Sequence, residues 1–249
     1  MLKIEKFVTP SPEQWEIIIE GMRNPKNSWG RMDSKVCPGN NCDDCNFWSI
    51  DHDKCDGNHI DGEFILGPND HKLMMQLAEG GPVHAKYRRM IDVFVTINAP
   101  LYWWKEFDTY KVGTVCNSCS TMHKIHAKPF TVNDISCDEL TKGNLIDRDG
   151  DIVAPELKAH YKHLMNVLSS LNNLRDLYLK TGDKRYWRCM IEMLPSSYNQ
   201  KRTIKLNYEV LANIYTWRRH HKLDEWHMFC NWIEELPYSE LITGDLSET

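Results

Sequence analysis

Four cysteines near the start of the chain have types and spacing that suit metal binding. Cys37, Cys42, Cys45 and Cys55 fall within nineteen residues of a polar segment. Thiolates are preferred zinc ligands, and a metal ion can fold a segment that has too few apolar residues to fold alone. The first three also have the spacing of plant-type iron–sulfur ligands. We therefore predict a structural zinc site, with an iron–sulfur cluster or unliganded thiols as the alternatives.

A second cysteine pair has CxxC spacing in the segment TYKVGTVCNSCSTMHK, at Cys116 and Cys119. Such a pair can be redox-active or can bind a metal in a reducing compartment. No obvious helix follows it directly, which argues against a thioredoxin-like centre. These residues are therefore either thiols that line a site or two ordinary thiols.

The C-terminal half contains a polar pattern that could bind a ring and an anion. Within LPSSYNQKRTIKLNYEVLANIYTWRR, four residues recur at helical spacings of 4, 3 and 4: Asn207, Leu211, Ile214 and Arg218. We interpret them as one stripe of a helix over residues 201–219, with Asn213 to one side. Asparagine can donate to and accept from a ring edge, and arginine can hold a phosphate. The alternative is that Asn207 caps the helix and Arg218 lies along its surface.

This segment resembles the C-terminal signature of flavin-dependent thymidylate synthases. That signature is a Leu-Pro, an Asn thirteen residues after the Leu, a second Asn six residues later and an Arg five residues after that. It is matched without a gap by Leu194, Pro195, Asn207, Asn213 and Arg218. The resemblance implies that Asn207 and Asn213 approach FAD and that Arg218 binds deoxyuridylate.

The same family has a diagnostic motif, Arg-His-Arg-x-x-Ser-x-Asn-Glu-x-Ser-x-Arg, which falls on the segment that holds the second cysteine pair. Its first three positions are occupied by Thr109, Tyr110 and Lys111. Ser120 matches the second serine, and Met122 replaces the final arginine. The resemblance implies that Tyr110 and Lys111 contact the flavin. It also implies that Ser120, the candidate catalytic residue, orients the substrate. Because the final arginine of the motif is missing, we expect a substitute cation for the substrate phosphate, with Lys124, Lys111, His123 and Arg202 as the candidates.

In this family, reduced flavin carries a one-carbon unit from methylenetetrahydrofolate to C5 of deoxyuridylate, and NADPH supplies the electrons. The resemblance therefore implies an FAD-dependent methyltransferase that forms thymidylate and assembles as a homotetramer. Two alternatives stay open. One is a flavin- and nucleotide-binding relative that acts on another pyrimidine. The other is a catalytically inactive scaffold or interaction protein in which the zinc knuckle is the functional part.

Composition sets limits on these possibilities. The chain has 249 residues, of which 41% are hydrophobic and 26% charged, as is ordinary for a globular protein. A net charge of −5 argues against a broadly basic nucleic-acid binder. No apolar run approaches the roughly 18 residues of a membrane span, and the N-terminus does not resemble a signal peptide. We therefore expect a cytoplasmic protein with reduced thiols and no membrane partner.

Hydrophobic periodicity predicts the elements that must position these residues. Ser11 is expected to cap the first helix and Pro100 to open another after a strand over 92–98. The remaining helices are predicted over 70–79, 154–182, 183–193, 201–219 and 223–235. The pattern, with the resemblance, predicts a helix-rich α+β fold with a small antiparallel or mixed sheet and a long helical C-terminal half. We divide it into an N-terminal helix plus cysteine-rich segment over 1–62 and a thymidylate synthase-like domain over 63–249.

Overall fold

A computed structural model of the protein describes residues 1–37 and 62–244. The helices within this part of the chain are α1 Pro12–Arg23, α2 Pro68–Glu79, α3 Leu101–Phe107, α4 Asp138–Thr141, α5 Lys158–Thr181, α6 Lys184–Met193, α7 Tyr208–Arg218, α8 Asp224–Glu234 and α9 Glu240–Thr243. The strands are β1 Lys3–Val8, β2 Lys35–Val36, β3 Phe64–Ile65, β4 Asp92–Pro100, β5 Val115–Ser118 and β6 Asn199–Asn207. None of the described helices combines the length and the hydropathy that a membrane crossing requires.

A small antiparallel sheet organises the fold, with strand order β1-β4-β6-β5. The central pair, β4 and β6, runs in register from Asp92 opposite Asn207 to Pro100 opposite Asn199. Alternate residues of β4, such as Val95 and Ile97, are buried. The predicted helix-rich α+β class with a small sheet is confirmed, and the sheet is wholly antiparallel in this part of the chain.

The predicted helix over residues 201–219 is wrong for its first seven residues, because residues up to Asn207 form β6. The segment TIKL alternates polar and apolar residues with a period of two, so that Ile204 and Leu206 are buried while Thr203 is exposed. This period places one face of a strand against the core. Helical spacing begins only at α7.

Several other predictions are confirmed. Ser11 caps α1 by accepting a hydrogen bond from the Gln14 backbone N–H. The strand predicted over 92–98 lies within β4, and the helix after Pro100 is α3. Gly182 ends α5 with a φ of +69°. Strands β1 and β5 were not predicted, because both lie at sheet edges and expose most of their residues.

An aromatic core fixes α3 beneath the sheet. Trp103 and Trp104 of α3 are fully buried, and the Trp103 ring lies 4.8 Å from that of Trp226 in α8. Phe107 and Phe229 pack into the same cluster. These tryptophans are therefore core residues rather than stacking surfaces for a ligand. Their packing holds the C-terminal end of α3, and hence the loop that follows it, in one position.

A second core lies between α5, α6 and the segment that precedes them. Its buried residues are Ile125, Phe130, Ile135, Leu164, Leu168, Leu171, Met190 and Tyr198. Hydrogen bonds between the Asn172 side chain and the Phe130 backbone tie α5 to this segment. The turn that carries the predicted substrate residues is therefore anchored to the long C-terminal helices.

The two ends of the cysteine-rich segment are brought together by the hairpin of β2 and β3. The Cys37 backbone N–H donates to the Glu63 carbonyl at 2.7 Å, and the Gly62 N–H donates to the Cys37 carbonyl at 3.1 Å. Cys37 is buried. The other predicted metal ligands, Cys42, Cys45 and Cys55, lie outside the described residues.

Candidate functional site

A cavity of about 800 Å³ opens between α2, α7 and the loop that follows α3. All four residues predicted to bind the cofactor line it: Tyr110, Lys111, Asn207 and Asn213. Its volume falls within the range of roughly 300–1,000 Å³ that is usual for small-molecule sites. The fold thus brings two distant segments of the chain to one cavity.

Asn207 lies at the junction between β6 and α7 and performs two tasks there. Its Oδ1 accepts a hydrogen bond from the Val210 backbone N–H at 3.1 Å, which caps the first turn of α7. The side chain is almost fully buried but still lines the cavity. Because Oδ1 is occupied by the cap, Nδ2 is the group that remains to donate to a ligand. The capping alternative for Asn207 is therefore observed, and it leaves a donor on the cavity wall.

Gly113 brings the loop against Asn207. Its φ is +80°, a conformation that glycine adopts without a steric cost. A Cβ atom added there would lie 3.2 Å from both Asn207 Nδ2 and Val210 Cγ2. The loop therefore closes on the two residues at the start of α7, and the absence of a side chain at Gly113 keeps this part of the wall open.

One exposed face of α7 continues the cavity wall. Asn213, Thr216 and Trp217 are neighbours on this face and all line the cavity. The Trp217 side chain is 73% exposed, which is unusual for so large an aromatic residue. An exposed indole beside an exposed amide can stack on a planar ring and bond to its edge.

Arg218 lies behind Tyr110 and does not line the cavity. Its Nε donates to the Tyr110 hydroxyl at 2.9 Å, and its Nη1 donates to Glu106 Oε2 at 2.9 Å. The guanidinium also stacks on Trp226, 4.8 Å from the ring centroid. The predicted substrate arginine therefore has a carboxylate, a hydroxyl and an aromatic ring as partners within this chain.

Glu106 is the common partner of the polar side chains around Arg218, and the sequence analysis did not predict this role. Its Oε2 accepts hydrogen bonds from Arg218 and from Trp226 Nε1, the latter at 2.9 Å, and lies 3.4 Å from His221 Nε2. A carboxylate within the aromatic run LYWWKEF was the available signal, because a half-buried acid requires partners of this kind.

The predicted substrate residues Ser120 and Lys124 lie in an exposed turn after β5, outside the cavity. Ser120 Oγ accepts hydrogen bonds from the backbone N–H groups of Met122 and Lys124 at 3.3 and 3.4 Å. Cys116 and Cys119 are exposed nearby, and Cys116 Sγ lies 3.6 Å from Ser118 Oγ. The structure thus separates these residues from the four that share the cavity.

Arg202 is another cation that could replace the missing motif arginine, and like Arg218 it is already paired with a carboxylate. Its Nη1 donates to Asp108 at 2.7 Å, its Nε donates to Gln200 Oε1 at 2.9 Å, and the guanidinium lies 4.3 Å from the Trp104 ring centroid. Arg202 and Arg218 thus each bind one carboxylate at or just after the C-terminal end of α3.

Structures with this fold are known. Thymidylate synthase X (ThyX) from Helicobacter pylori, in complex with FAD and dUMP, has a TM-score of 0.56 and 14% sequence identity over 97% of this chain and 96% of that one. The UMP/dUMP methylase PolB from Streptomyces cacaoi, bound with 5-Br dUMP, has a TM-score of 0.56 and 12% identity over 94% of this chain and 88% of that one. The chain has the fold of the flavin-dependent thymidylate synthases. No family model and no curated protein sequence matches it.

Within this thymidylate synthase-like fold, two polar groups near the aromatic core stay protonated. Burial and the hydrogen bond that Tyr102 donates to Glu225 raise the pKa of the Tyr102 hydroxyl well above its ordinary value. Burial raises the pKa of the Cys230 thiol to about 12. Neither is suited to act as a base or a nucleophile near neutral pH.

The described part of the chain contains no group of three or more His, Cys, Asp or Glu side chains arranged to hold a metal ion. Three of the four predicted cysteine ligands fall outside those residues, so the zinc site stays a prediction.

Proposed function

We propose that this chain is an FAD-dependent enzyme that transfers a one-carbon unit from methylenetetrahydrofolate to C5 of deoxyuridylate, with NADPH as the reductant. One observation carries the proposal. The four residues that the sequence predicts as flavin neighbours come from two distant segments, and all of them line one cavity. The structural similarity to ThyX, which covers 97% of the chain, supports the same proposal.

The residues of this cavity fit a flavin. Asn207 Nδ2 and the exposed Asn213 amide offer hydrogen bonds to a heteroaromatic ring edge, and the exposed Trp217 indole offers a stacking surface. Gly113 leaves the space that a side chain would fill in front of Asn207. When bound, FAD supplies the redox and one-carbon chemistry, and the protein supplies binding, orientation and electrostatics.

For the nucleotide, we assign Ser120 and Lys124 to the phosphate end and Arg218, which lies behind Tyr110, to orientation of the pyrimidine. Ser120 and Lys124 are exposed in their own turn, which leaves them accessible to an anion. Arg218 is connected to the cavity through the Tyr110 hydroxyl. We infer that the protein orients the pyrimidine and uses no side chain as an obligatory nucleophile.

The proposal includes a homotetramer, and the open face of the sheet supports it. Val8 of β1 pairs with Phe94 of β4, and these side chains are 63% and 52% exposed. Val115 of β5 is exposed as well. Lys205 of β6 stands between Phe94 and Val115, so Val8 and Phe94 form the adjacent apolar pair. Exposed apolar residues of this kind commonly mark an interface between subunits. Light scattering on the purified protein tests this part of the proposal, and a monomeric mass would contradict it.

A second candidate is a flavin-dependent enzyme that acts on a different pyrimidine. The supporting observation is that the arginines expected to bind a 5′-phosphate are either replaced or already paired. Met122 stands at the final arginine of the motif, and Arg202 and Arg218 are already paired with carboxylates. An enzyme with this arrangement is expected to bind a monophosphate weakly and to prefer a substrate whose phosphate matters less.

Two measurements test the proposed function. Titration of the purified protein with FAD, followed by flavin fluorescence, should show saturable binding. Addition of methylenetetrahydrofolate, NADPH and deoxyuridylate tritiated at C5 should then release tritium to water. Failure to bind FAD would contradict both flavin-dependent candidates, whereas FAD binding without tritium release would favour the second.

A matched pair of variants makes the test specific to the cavity. Asn213→Ala removes an exposed amide on the cavity face of α7, and Asn173→Ala removes an exposed amide from α5. Neither change should affect folding. We expect only Asn213→Ala to weaken FAD binding, by about 10-fold for one lost ring-edge hydrogen bond.

A further inference from the structure

Two adjacent arginines, Arg88 and Arg89, line the same cavity from a segment that precedes β4. The Arg88 side chain is largely buried, with 12% of its surface exposed. Arg89 is exposed and forms no hydrogen bond or ion pair with any residue that the structure describes. Together with Lys111, they place three cations on the cavity wall, which also carries two carboxylates, Glu79 and Glu209.

Two buried atoms on this wall have unmet hydrogen-bonding capacity. Arg88 Nε and Glu209 Oε2 are both buried, and neither has a hydrogen-bond partner among the described residues. They belong to the same loose pair, in which Arg88 Nη1 lies 4.0 Å from Glu209 Oε2. A structural ion pair normally satisfies its buried atoms, because burying unpaired polar groups costs free energy. This pair therefore retains a donor and an acceptor that the described part of the chain does not satisfy, in two residues that line the cavity.

The chemistry of the ligand follows from the two groups. A buried guanidinium beside an exposed one is suited to a diphosphate, whose oxygens accept charge-assisted hydrogen bonds. A carboxylate beside it is suited to a hydroxyl donor, and the ribose hydroxyls of a nucleoside diphosphate lie next to its diphosphate. Both requirements are met by one chemical group, a nucleoside diphosphate.

We propose that Arg88 and Arg89 bind the diphosphate of a nucleoside diphosphate group and that Glu209 accepts a hydrogen bond from the adjoining ribose. The inference rests on the proposed function, since it identifies which residues would hold the adenosine diphosphate half of FAD. It also explains how the cavity can bind a dinucleotide when Thr109 and Tyr110 stand where the family motif has a basic pair. The cations come from outside the motif.

Binding measurements with four probes test this proposal: FAD, ADP, inorganic pyrophosphate and riboflavin. The Arg88→Gln/Arg89→Gln variant should lose about 10- to 100-fold in affinity for FAD and ADP, which corresponds to one or two charge-assisted hydrogen bonds. Its affinity for riboflavin, which has no phosphate, should not change. Arg148→Gln, at an exposed arginine outside the cavity, is the matched control and should bind all four probes as the wild type does.

Glu209→Ala separates the ribose contact from the diphosphate contact. This variant should weaken ADP binding and leave pyrophosphate binding unchanged or slightly stronger, because only ADP carries the hydroxyls. If the change at Arg88 lowers the melting temperature, Arg89→Gln alone keeps the test valid. Arg89 is exposed and unpaired within the described part of the chain, so its loss should not affect folding.

The outcomes distinguish this inference from the proposed function. Equal FAD affinity in the wild type and in the double arginine variant would overturn the inference and leave the proposed function intact. ADP binding that depends on the arginines, in a protein that binds no flavin, would support the inference and refute the proposed function. A wild-type protein that binds neither ADP nor FAD would refute both.

Discussion

Arg218 donates a hydrogen bond through its Nε to the hydroxyl of Tyr110, 2.9 Å away, and Tyr110 lies on the cavity wall. Its charge is balanced by Glu106, and its guanidinium stacks on Trp226. Tyr110 lines the cavity, whereas Arg218 does not. The effect of Arg218 on a ligand in the cavity should therefore pass through the position of the Tyr110 ring.

A double-mutant cycle on Arg218 and Tyr110 tests this relationship. Arg218→Ala should weaken FAD binding in the wild-type background, because Tyr110 loses the donor that holds its hydroxyl. In a Tyr110→Phe background, Arg218→Ala should reduce the affinity for FAD by a smaller factor. Residues in direct contact typically show a coupling of about 0.5–3 kcal/mol. Flavin fluorescence titration of the four proteins measures it.

The same four proteins also test the direct nucleotide role that the family resemblance implies for Arg218. If the guanidinium leaves Glu106 and contacts deoxyuridylate, Arg218→Ala should weaken nucleotide binding equally in both backgrounds. Additive losses in nucleotide affinity would thus favour direct contact, and coupled losses would favour positioning through Tyr110. Arg218→Lys keeps the charge and removes the forked donor geometry, so it should not restore the Tyr110 contact.

Patterns within single elements were predictable from the sequence, but the way in which the cavity is assembled was only partly so. Asn207 and Asn213 were predicted from their match to the family signature. The pairing of Arg218 with Glu106 was not predicted, because it joins α7 to α3 across the packed core. Arg88 was missed because nothing local to its segment shows that it faces a cavity. The sequence does show the period-two alternation just before Asn207. The helical spacing that follows Asn207 led to the assignment of this stretch to the helix as well.

Gly113 provides a test of the close approach between the loop and α7. Gly113→Ala puts a Cβ atom about 3.2 Å from Asn207 Nδ2 and Val210 Cγ2, at a φ of +80° that also penalises alanine. Gly150→Ala meets the same backbone penalty at a φ of +88°, with no atom within 4 Å of the new Cβ. Each variant should lose about 1–2 kcal/mol of unfolding free energy from the backbone alone.

Only Gly113→Ala should also weaken FAD binding, because only there does the added methyl group displace a residue of the cavity wall. Thermal melts measure the loss of stability that the two variants share, and flavin titration measures the difference between their affinities for FAD. Equal FAD affinities in the two alanine variants would show that the loop does not form part of the site.

Asp70 should make the stability of the fold depend on pH. Burial raises its pKa, but hydrogen bonds from Ser34, from the Asp33 backbone N–H and from Arg23 outweigh this effect, and the pKa falls below its ordinary value. A carboxyl whose folded pKa is depressed stabilises the fold above its unfolded pKa of about 3.9, and this contribution is lost as the pH falls through the lower, folded value.

The Asp70→Asn variant should therefore be less stable than the wild type at pH 7, by about 3–5 kcal/mol, since it leaves the buried Arg23 without its partner. The difference should shrink as the solution is acidified from pH 5 to pH 2. Urea unfolding at several pH values measures both effects. Asp149→Asn, at an exposed carboxyl, is the control, and a pH dependence that is unchanged in Asp70→Asn would contradict the assignment.

The cysteine-rich segment should bind about one zinc ion per chain through Cys37, Cys42, Cys45 and Cys55. The hairpin that joins Cys37 to Glu63 brings the ends of this segment together, which lowers the entropic cost of closing the loop around an ion. Metal analysis after chelator-free purification checks the stoichiometry. Cys42→Ser should lose the metal, and Cys116→Ser/Cys119→Ser should keep it. Less than about half an equivalent in the wild type would refute the site.

Asn207 combines a structural hydrogen bond with a binding hydrogen bond in one amide, and two substitutions can separate them. Asn207→Ala removes the cap on α7 as well as Nδ2, so it should cost about 0.5–2 kcal/mol of stability and also weaken FAD binding. Asn207→Asp keeps an oxygen that can accept from the Val210 N–H, at the positive end of the α7 dipole. The aspartate variant should therefore melt close to the wild type but bind FAD at least as weakly as the alanine variant, because a carboxylate cannot donate. If Asn207→Asp binds FAD normally, the Asn207 amide has only its capping role, and the flavin ring edge must be held by Asn213 without it.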